Sequence, residues 1–494
     1  MKTSIYRLIL GILLFSPLSC TEHFQEVNTN PNGVTDSDPA FIFASGARAS
    51  FRSGIAGAYD YRIAAQMAHY YVGVNNDHFN DQYLQDLSGE SYEALYDSEY
   101  ASKLRYFNDV LRLTAPGGEY EDKLQYAVAD AMAVMSYSIL TDAFGSIPDF
   151  EGGFGNDNLL LPSYDDQETI YQDLLQRLTD DITALKTATT TVNLLDQDPV
   201  FKDDPVKWSK FVNSLRLRLA MRIRHVDQIT ASNYITQSLE EPLMESNADN
   251  AVSFNVDGDN SSLFSPWFGT FDFWNFRMSD KVITQLTSTN DPRLAIYANP
   301  ITGGIYKGMV NGLIDSKFAS EVNKPYSSPG QWLVGKAAPT ILMSAGEIAF
   351  LQAECALFNL GGTDANAHYQ RGIDLSLKKV GVAQEDIDTF LATEIGTLTG
   401  TQEEQFEQIG KQMWLTLAPN FTEAYNYMRR TGYPVIPLRD GINTSLGDTE
   451  GELPSRVLYP LSEKLTNETN VQEAINSIGG QDILKTRVWW DVRR

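Results

Sequence analysis

Residues 123–148 read KLQYAVADAMAVMSYSILTDAFGSIP. Leu124, Val128, Ala131, Met135 and Ile139 recur three or four residues apart, the spacing of one helix face. The other faces are nearly as apolar, so the helix predicted from Lys123 to Phe144 is enclosed rather than laid on a surface. Gly145 and Pro148 end it, because glycine turns the chain past a last helical turn and proline cannot prolong one. An enclosed helix needs other helices around it, and the flanking sequence supplies them.

The next helix opens at Ser163 or Asp165 and carries the stripe Ile170, Leu174, Leu178 and Ile182. A third runs from Pro205 to about His225, with Trp208, Val212, Leu215 and Leu219 on one side. Arg216, Arg218, Arg222 and Arg224 decorate it and read as salt-bridge partners of neighbouring helices. The stretches 344–360 and 364–380 form a helical pair joined by Gly361-Gly362, with Ala353, Ala356, Ala365, Ala367 and Gly372 among their residues. Small residues let two helices approach closely, as in a tetratricopeptide-type hairpin. Further helices are predicted over 402–417 and 420–430. No Pro-rich or low-complexity linker divides the chain. The predicted fold is therefore all-α: helical hairpins with long irregular loops and at most minor β-structure, in one domain over 41–494.

Between residues 247 and 339 the character changes. Gly, Asn, Asp, Pro and aromatic residues crowd together, with one helix predicted at 279–287. Long irregular stretches on a rigid scaffold usually carry function, so 247–339 reads as a loop-rich ligand-binding excursion.

The N-terminus reads as an address. MKTSIYRLILGILLFSPLSC has a basic start at Lys2 and Arg7, an apolar run from Leu8 to Phe15, and Ser19 before Cys20. The apolar run is too short to span a bilayer. The arrangement resembles a bacterial lipoprotein signal over 1–19, with Cys20 the lipidated residue and 20–40 a polar, turn-rich tether. Cys355, the second of two cysteines, lies in an apolar run and reads as a buried hydrophobe.

The 494 residues are 43% hydrophobic, ample for a sizeable core, and carry a formal net charge of −26. Nucleic acid is a poor partner for such a chain, since binding it needs clustered cations. His23, His69, His78, His225 and His368 are scattered, and no zinc-protease, nucleophile-elbow or phosphate-loop motif occurs. Asp257-Gly258-Asp259-Asn260 lacks the spacing of a calcium loop and reads as a turn. No cofactor or metal is implied.

Several blocks, in order, resemble SusD/RagB lipoproteins of the SusD-like subgroup. They are NTNPNG (28–33), YAVADAMAVMSYSILTDAFGSIP (126–148), KWSKFVNSLRLRLAMRI (207–223), NDPRL (290–294), ILMSAGEIAFLQAECAL (341–357), EAYNYMRRTGYP (423–434) and TRVWWD (486–491). The resemblance covers nearly the whole chain. It implies a tetratricopeptide-like SusD scaffold without catalytic activity, anchored by lipid at the outer face of an outer membrane. It also implies delivery of glycans to a SusC-like TonB-dependent transporter. The family's aromatic binding residues are not a fixed motif, so none is carried over by position.

Sugars present flat C–H faces and many hydroxyls, which aromatic rings and planar polar groups recognise. The run 261–280, SSLFSPWFGTFDFWNFRMSD, offers Trp267 and Trp274 as platforms and Asp272, Asn275 and Arg277 as polar partners. Its phenylalanines read as packing residues. Tyr306 and Trp332 follow in the same excursion, and a second cluster holds Tyr71, Asn75, Asp77 and Tyr83. Trp208, Trp414, Trp489 and Trp490 read as structural. The acidic balance favours a neutral glycan over an anionic one. Two other classes stay open. A secreted helical glycoside hydrolase needs only two carboxylates among 64 acids. A protein-interaction lipoprotein would bind no glycan. If Cys20 is the anchor, Cys20→Ala should move the protein from the membrane fraction to the soluble fraction. Retention of that variant in cells lacking the transporter would refute the assignment.

Overall fold

The computed structural model describes residues 37–52, 58–74, 80–84, 90–153, 160–253, 255–259, 264–269, 275–439 and 446–492. In chain order the principal helices are α1 (Pro39–Arg52), α2 (Arg105–Thr114), α3 (Lys123–Phe144), α4 (Gln167–Lys186), α5 (Pro205–Ile223), α6 (Gln228–Leu239) and α7 (Asp280–Ser288). They continue with α8 (Asp315–Glu321), α9 (Ala345–Leu357), α10 (Ala365–Lys379), α11 (Gln402–Leu417), α12 (Phe421–Thr431), α13 (Leu461–Thr466) and α14 (Glu468–Ser477). The fold is all-α, as its periodicity predicts. Strands are two to four residues long: β1 (Tyr71–Val72), β2 (Ala251–Ser253), β3 (Arg277–Met278) and β4 (Thr340–Met343). β1 pairs antiparallel with β3, and β2 with β4. Residues 39–494 gather into one compact unit.

The long helices begin where a side chain can satisfy their first free N–H groups. Asp122 accepts from Leu124 and Gln125 at the head of α3, and Ser344, Asp364 and Asn420 cap α9, α10 and α12. α4 starts after Asp166, one residue past the predicted Asp165. Asp166 accepts the Thr169 N–H, while Asp165 turns back to accept from Asp149 and Phe150. α3 is long and apolar enough to cross a membrane by composition alone, yet it is buried as a core helix. It packs on α2 and α4, α4 on α5, and α5 on α6. α9 packs on both α10 and α11. A Cβ added at Gly372 of α10 would stand 2.7 Å from the Phe350 ring of α9, so only glycine permits that approach. In the loop-rich stretch, α7 lies where the sequence predicts a helix. α8 was not anticipated, because tertiary contact holds it: Phe318 packs on a satellite cluster of Val72, Val74 and Met309.

The core is also charged. Arg218 of α5 grips Glu347 of α9 in a two-pronged pair, 2.6 and 2.8 Å. Arg222 reaches Glu423 of α12 at 2.6 Å and Asp142 of α3 at 3.4 Å. Arg224 and Arg430 converge on Glu354 of α9 at 2.8 and 2.5 Å. The sequence expectation of interhelical salt bridges holds for these three α5-region arginines. Arg216 differs, donating instead to Ser238, Thr179 and Asn213. Cys355 is buried with its sulfur 3.5 Å from that of Met221, and burial pushes its thiol up to about 12.

Burial alone would raise the Glu354 carboxyl, but Arg430 and Arg224 outweigh it and hold it at about 2, below its ordinary 4.5. A carboxyl lowered by folding adds stability above its ordinary pKa and loses that contribution as pH falls through the folded value. Glu354→Gln should destabilise by about 3–5 kcal/mol at neutral pH, because two buried guanidiniums lose their counter-charge. The gap between parent and variant should narrow as pH falls from 4.5 towards 2, followed by denaturant unfolding at each pH.

Candidate functional site

Strand pairing β1–β3 brings the two sequence-predicted binding segments together. Tyr71 faces Met278 and Val72 faces Arg277. Two further loops join them. Met309 N–H donates to Met278 O at 2.9 Å, Met278 N–H to Ser327 O at 2.8 Å, and Ser327 N–H to Lys307 O at 2.8 Å. Asn311 Nδ2 donates to Tyr71 O, and Gly312 N–H to the Asp81 carboxylate at 2.7 Å. Four chain segments thus meet in one loop cluster above α7.

Arg439 locks the cluster from a fifth segment. Its guanidinium donates to the carbonyls of Asn311 and Asp81, each at 2.9 Å, and to His69 Nε2 at 3.0 Å. His69 Nε2 also lies 2.7 Å from the Tyr83 hydroxyl. An arginine can only donate, so Nε2 is an acceptor and the imidazole is neutral. Burial, reinforced by Arg439, drives the His69 pKa well below its ordinary value. His69 and Tyr83 both hold left-handed backbone, φ +60° and +62°, a conformation non-glycine residues take only when surroundings impose it. Gly312, at φ +71°, leaves space for Arg439: a Cβ there would lie 2.7 Å from the guanidinium carbon.

The predicted site residues fall into three groups. Cys20, Asn75, Asp77, Asp272 and Trp274 lie outside the described residues. Asn275, Arg277, Tyr306 and Trp332 are half-buried. Asn275 takes left-handed backbone and its carbonyl accepts from Arg277 Nη1 at 3.0 Å. Among the described residues no carboxylate pairs with Arg277. Tyr306 adjoins the Lys307–Ser327 link. Trp332, further along the same loop, stacks on Tyr297 with ring centres 5.6 Å apart and planes 19° apart.

Tyr71, Tyr83 and Trp267 form the third group, and their placement corrects the sequence reading. The stretch around Tyr71 and Tyr83 looks too polar for core, yet Tyr70 to Val72 and Asn80 to Tyr83 are buried. Their polar groups are met internally, as the Asp81 and His69 bonds illustrate, so polarity did not require exposure. The Tyr71 ring lies 6.0 Å from Phe276 and 5.3 Å from Phe421, and Arg439 covers the Tyr83 ring at 4.8 Å. Trp267 is only 5% exposed. It lines a cleft of about 110 Å³ together with Phe51, Asp60, Lys103, Arg222 and Asn420. Carboxylates there are engaged: Asp60 with Thr422, Glu423 with Arg222, and Glu99 with Lys103 at 2.5 Å. Burial, opposed by the Thr422 bonds, pushes Asp60 up to about 6.

Two features escaped the sequence reading. Phe268, next to Trp267, is exposed and meets Phe264 edge-on at 5.4 Å, with the Lys336 ammonium 4.6 Å above the Phe264 ring. A groove of about 390 Å³ runs beside Tyr83, walled by Pro434 to Leu438 and Leu453. The proline-bracketed aliphatic run PVIPL was its available signal.

A scaffold of helical hairpins carrying a buried-charge core and one loop cluster defines the class. The chain belongs to the SusD-like family described as starch-binding and associating with outer membrane, whose model matches residues 31–460. Among solved structures it is similar to a chitin-binding protein, 27% identical with a TM-score of 0.81, over 92% of this chain and 100% of that one. It is similar to a chitin-binding SusD homolog from Flavobacterium johnsoniae at 24% identity and TM-score 0.80, covering 92% and 99%. A SusD homolog from Bacteroides uniformis shares 26% identity at TM-score 0.75, covering 93% and 100%. No curated protein matches the sequence.

If Arg439 fastens the loop cluster, Arg439→Met should lower stability by about 2–4 kcal/mol, since charged hydrogen bonds are lost and two carbonyls are left unmet. Thermal melting measures that loss. Limited proteolysis should then cut within 305–327, a stretch the parent protects.

Proposed function

We propose that this chain is a cell-surface lipoprotein, held in the outer membrane through Cys20, that captures glycans and delivers them to a SusC-like TonB-dependent transporter. It carries its ligand without turnover. The observation that carries this reading is the full-length similarity to a chitin-binding protein, at 27% identity over 92% of the chain. The loop cluster adds chemical support, because it gathers half-buried aromatic, amide and guanidinium groups on one rigid base.

In this reading Trp274, Tyr306 and Trp332 supply rings for sugar faces. Asp272, Asn275 and Arg277 bond hydroxyls, and Asn75 and Asp77 form the rim. Tyr71, Tyr83 and Trp267 support the loops from beneath, since a ring without an exposed face cannot stack on a sugar. A neutral glycan suits the net charge of −26, which repels anionic chains. Chitin oligosaccharides are the first ligands to test.

Calorimetry with those oligosaccharides should show Trp274→Ala and Trp332→Ala each weakening binding by about 1–3 kcal/mol, roughly one to two decades in affinity. Trp267→Ala should instead lower the melting temperature, because a buried indole leaves a cavity worth about 3–5 kcal/mol. Parent-like affinity in both Trp274 and Trp332 variants would place the ligand elsewhere. Release of reducing sugar by the parent would favour a hydrolase.

A further inference from the structure

Phe264, Phe268 and Lys336 make an aromatic feature that the proposed sugar contacts do not use. Phe268 is 40% exposed, and its ring meets that of Phe264 edge-on, 5.4 Å apart at 80°. Among the described residues neither ring packs into an apolar core cluster. The Lys336 ammonium stands 4.6 Å from the centre of the Phe264 ring and 5.6 Å from that of Phe268. Phenylalanine has no polar handle, so a ring pair left at the surface leaves water only against an apolar partner.

The backbone fixes this arrangement. Ser265 N–H donates to Lys336 O at 2.7 Å, and Phe268 N–H to Ser265 O at 3.1 Å, closing a turn that the chain leaves at Gly269 with φ +80°. Trp267, next to Phe268, is buried and anchors the turn. On the facing segment, Gly335 N–H donates to Gln331 O at 2.8 Å and Ala338 N–H to Gly335 O at 3.0 Å, while Asn255 Nδ2 donates to Ala338 O at 2.6 Å. The ammonium and both rings are thus held on two tied segments. Lys336 lies just past the short helix Gln331–Val334 that carries Trp332, so the feature adjoins the proposed sugar site.

Lys336 has donors to spare. Among the described residues its ion-pair partner is Asp257, 3.6 Å away and beyond hydrogen-bond length, with the two side chains 37% and 73% exposed. So exposed a pair contributes little and does not keep the ammonium from a ligand. A group fitted here has an apolar end for the rings and, beside it, an acceptor oxygen for the ammonium. A sugar hydroxyl supplies the acceptor without the apolar end. A sugar ammonium supplies neither, and Lys336 already occupies the ring face it would seek. An acetamido group supplies both, a methyl and a carbonyl oxygen on one planar unit.

We infer that Phe264, Phe268 and Lys336 form a subsite for the acetamido group of an N-acetylated sugar, and so set which neutral glycan the chain selects. The methyl rests on the Phe268 ring, and Lys336 Nζ donates to the acetamido oxygen. The inference rests on the glycan-capture reading above and gives that reading its substrate class.

The test is calorimetry of the full chain, in one mildly acidic buffer, with chitin, cellulose and chitosan oligosaccharides of equal length. These share one backbone and differ in bearing an acetamido, hydroxyl or ammonium group. The chitin series should bind tightest, by about tenfold or more, the usual effect of an apolar contact joined to a polar one. Phe268→Ala and Lys336→Met should each shrink that preference. Both side chains reach solvent, so melting temperature should stay at the parent value. Saturation-transfer NMR should show the acetamido methyl as the most strongly contacted ligand group in the parent and lose that signal in Phe268→Ala. Equal affinity for the chitin and cellulose series would refute the subsite and leave glycan capture standing. A preference untouched by both substitutions would refute these residues as its source. If none of the three series binds, the inference falls, and a glycan array decides capture by itself.

Discussion

Asp142 is the point on which the helical scaffold turns. It sits near the end of α3, fully buried, and accepts from Tyr171 of α4 at 2.5 Å, from Trp490 near the C-terminus at 2.7 Å and from Asn426 of α12 at 3.0 Å. Arg222 of α5 lies beside it. One carboxylate therefore ties four helices and the chain end. Burial raises its pKa against the opposing pull of Arg222 and Arg429. A charge in that position persists only because donors surround it. A partially satisfied version would be worse than an apolar core. Arg218, Arg222 and Arg224 share this property, each set against an acid outside its own helix. Apolar packing tolerates sliding of one helix on another, whereas these pairs fix register to within a hydrogen bond.

That rigidity is what the loops inherit. α11 and α12 carry the base of the loop cluster: Trp414 of α11 donates its indole N–H to Ala68 O at 3.0 Å, and Phe421 of α12 packs on Tyr70 and Tyr71. Arg293, buried after the Asn290–Pro292 turn, pairs with Asp291 and also bonds Ser376 of α10 and Gln412 of α11. The connection from core to loops thus runs through directional bonds rather than through a flexible hinge. Groups held on such a base are preorganised, and preorganised groups lose less entropy on binding.

Sequence periodicity captured the scaffold because a helix face is a local property. Leu124 to Ile139 and Ile170 to Ile182 announce their own burial, and Arg218, Arg222 and Arg224, interleaved with Leu217, Leu219, Met221 and Ile223, announce internal partners. Gly372 could be read as a close approach for the same reason. The loop cluster was legible only as composition. Trp267 and Phe268 are neighbours, yet the indole lines the cleft while the phenyl ring faces solvent. Their separation depends on Ser265 N–H reaching Lys336 O, a contact across seventy-one residues that no local pattern encodes. Tyr71 and Tyr83 were misjudged for a related reason. The polar residues between them suggest exposure, but bonds from Asn311, Gly312 and Arg439 to Tyr71 and Asp81 hold the described residues 70–72 and 80–83 in the interior.

The same internal pairing shapes the outside of the molecule. Arg218, Arg222, Arg224 and Arg430 are each matched by carboxylates within the core, so they contribute little field beyond it. The excess of 64 acids over 38 basic residues is then expressed at the surface. A field of that sign acts differently on two kinds of partner. Neutral glycans do not feel it at long range, and their capture depends on ring contact and hydroxyl bonding at short range. A basic-rimmed protein does feel it, and its approach is steered within the Debye length of about 8–10 Å at physiological salt. One charge imbalance would therefore leave binding of a neutral ligand indifferent to ionic strength while making association with a charged partner sensitive to it.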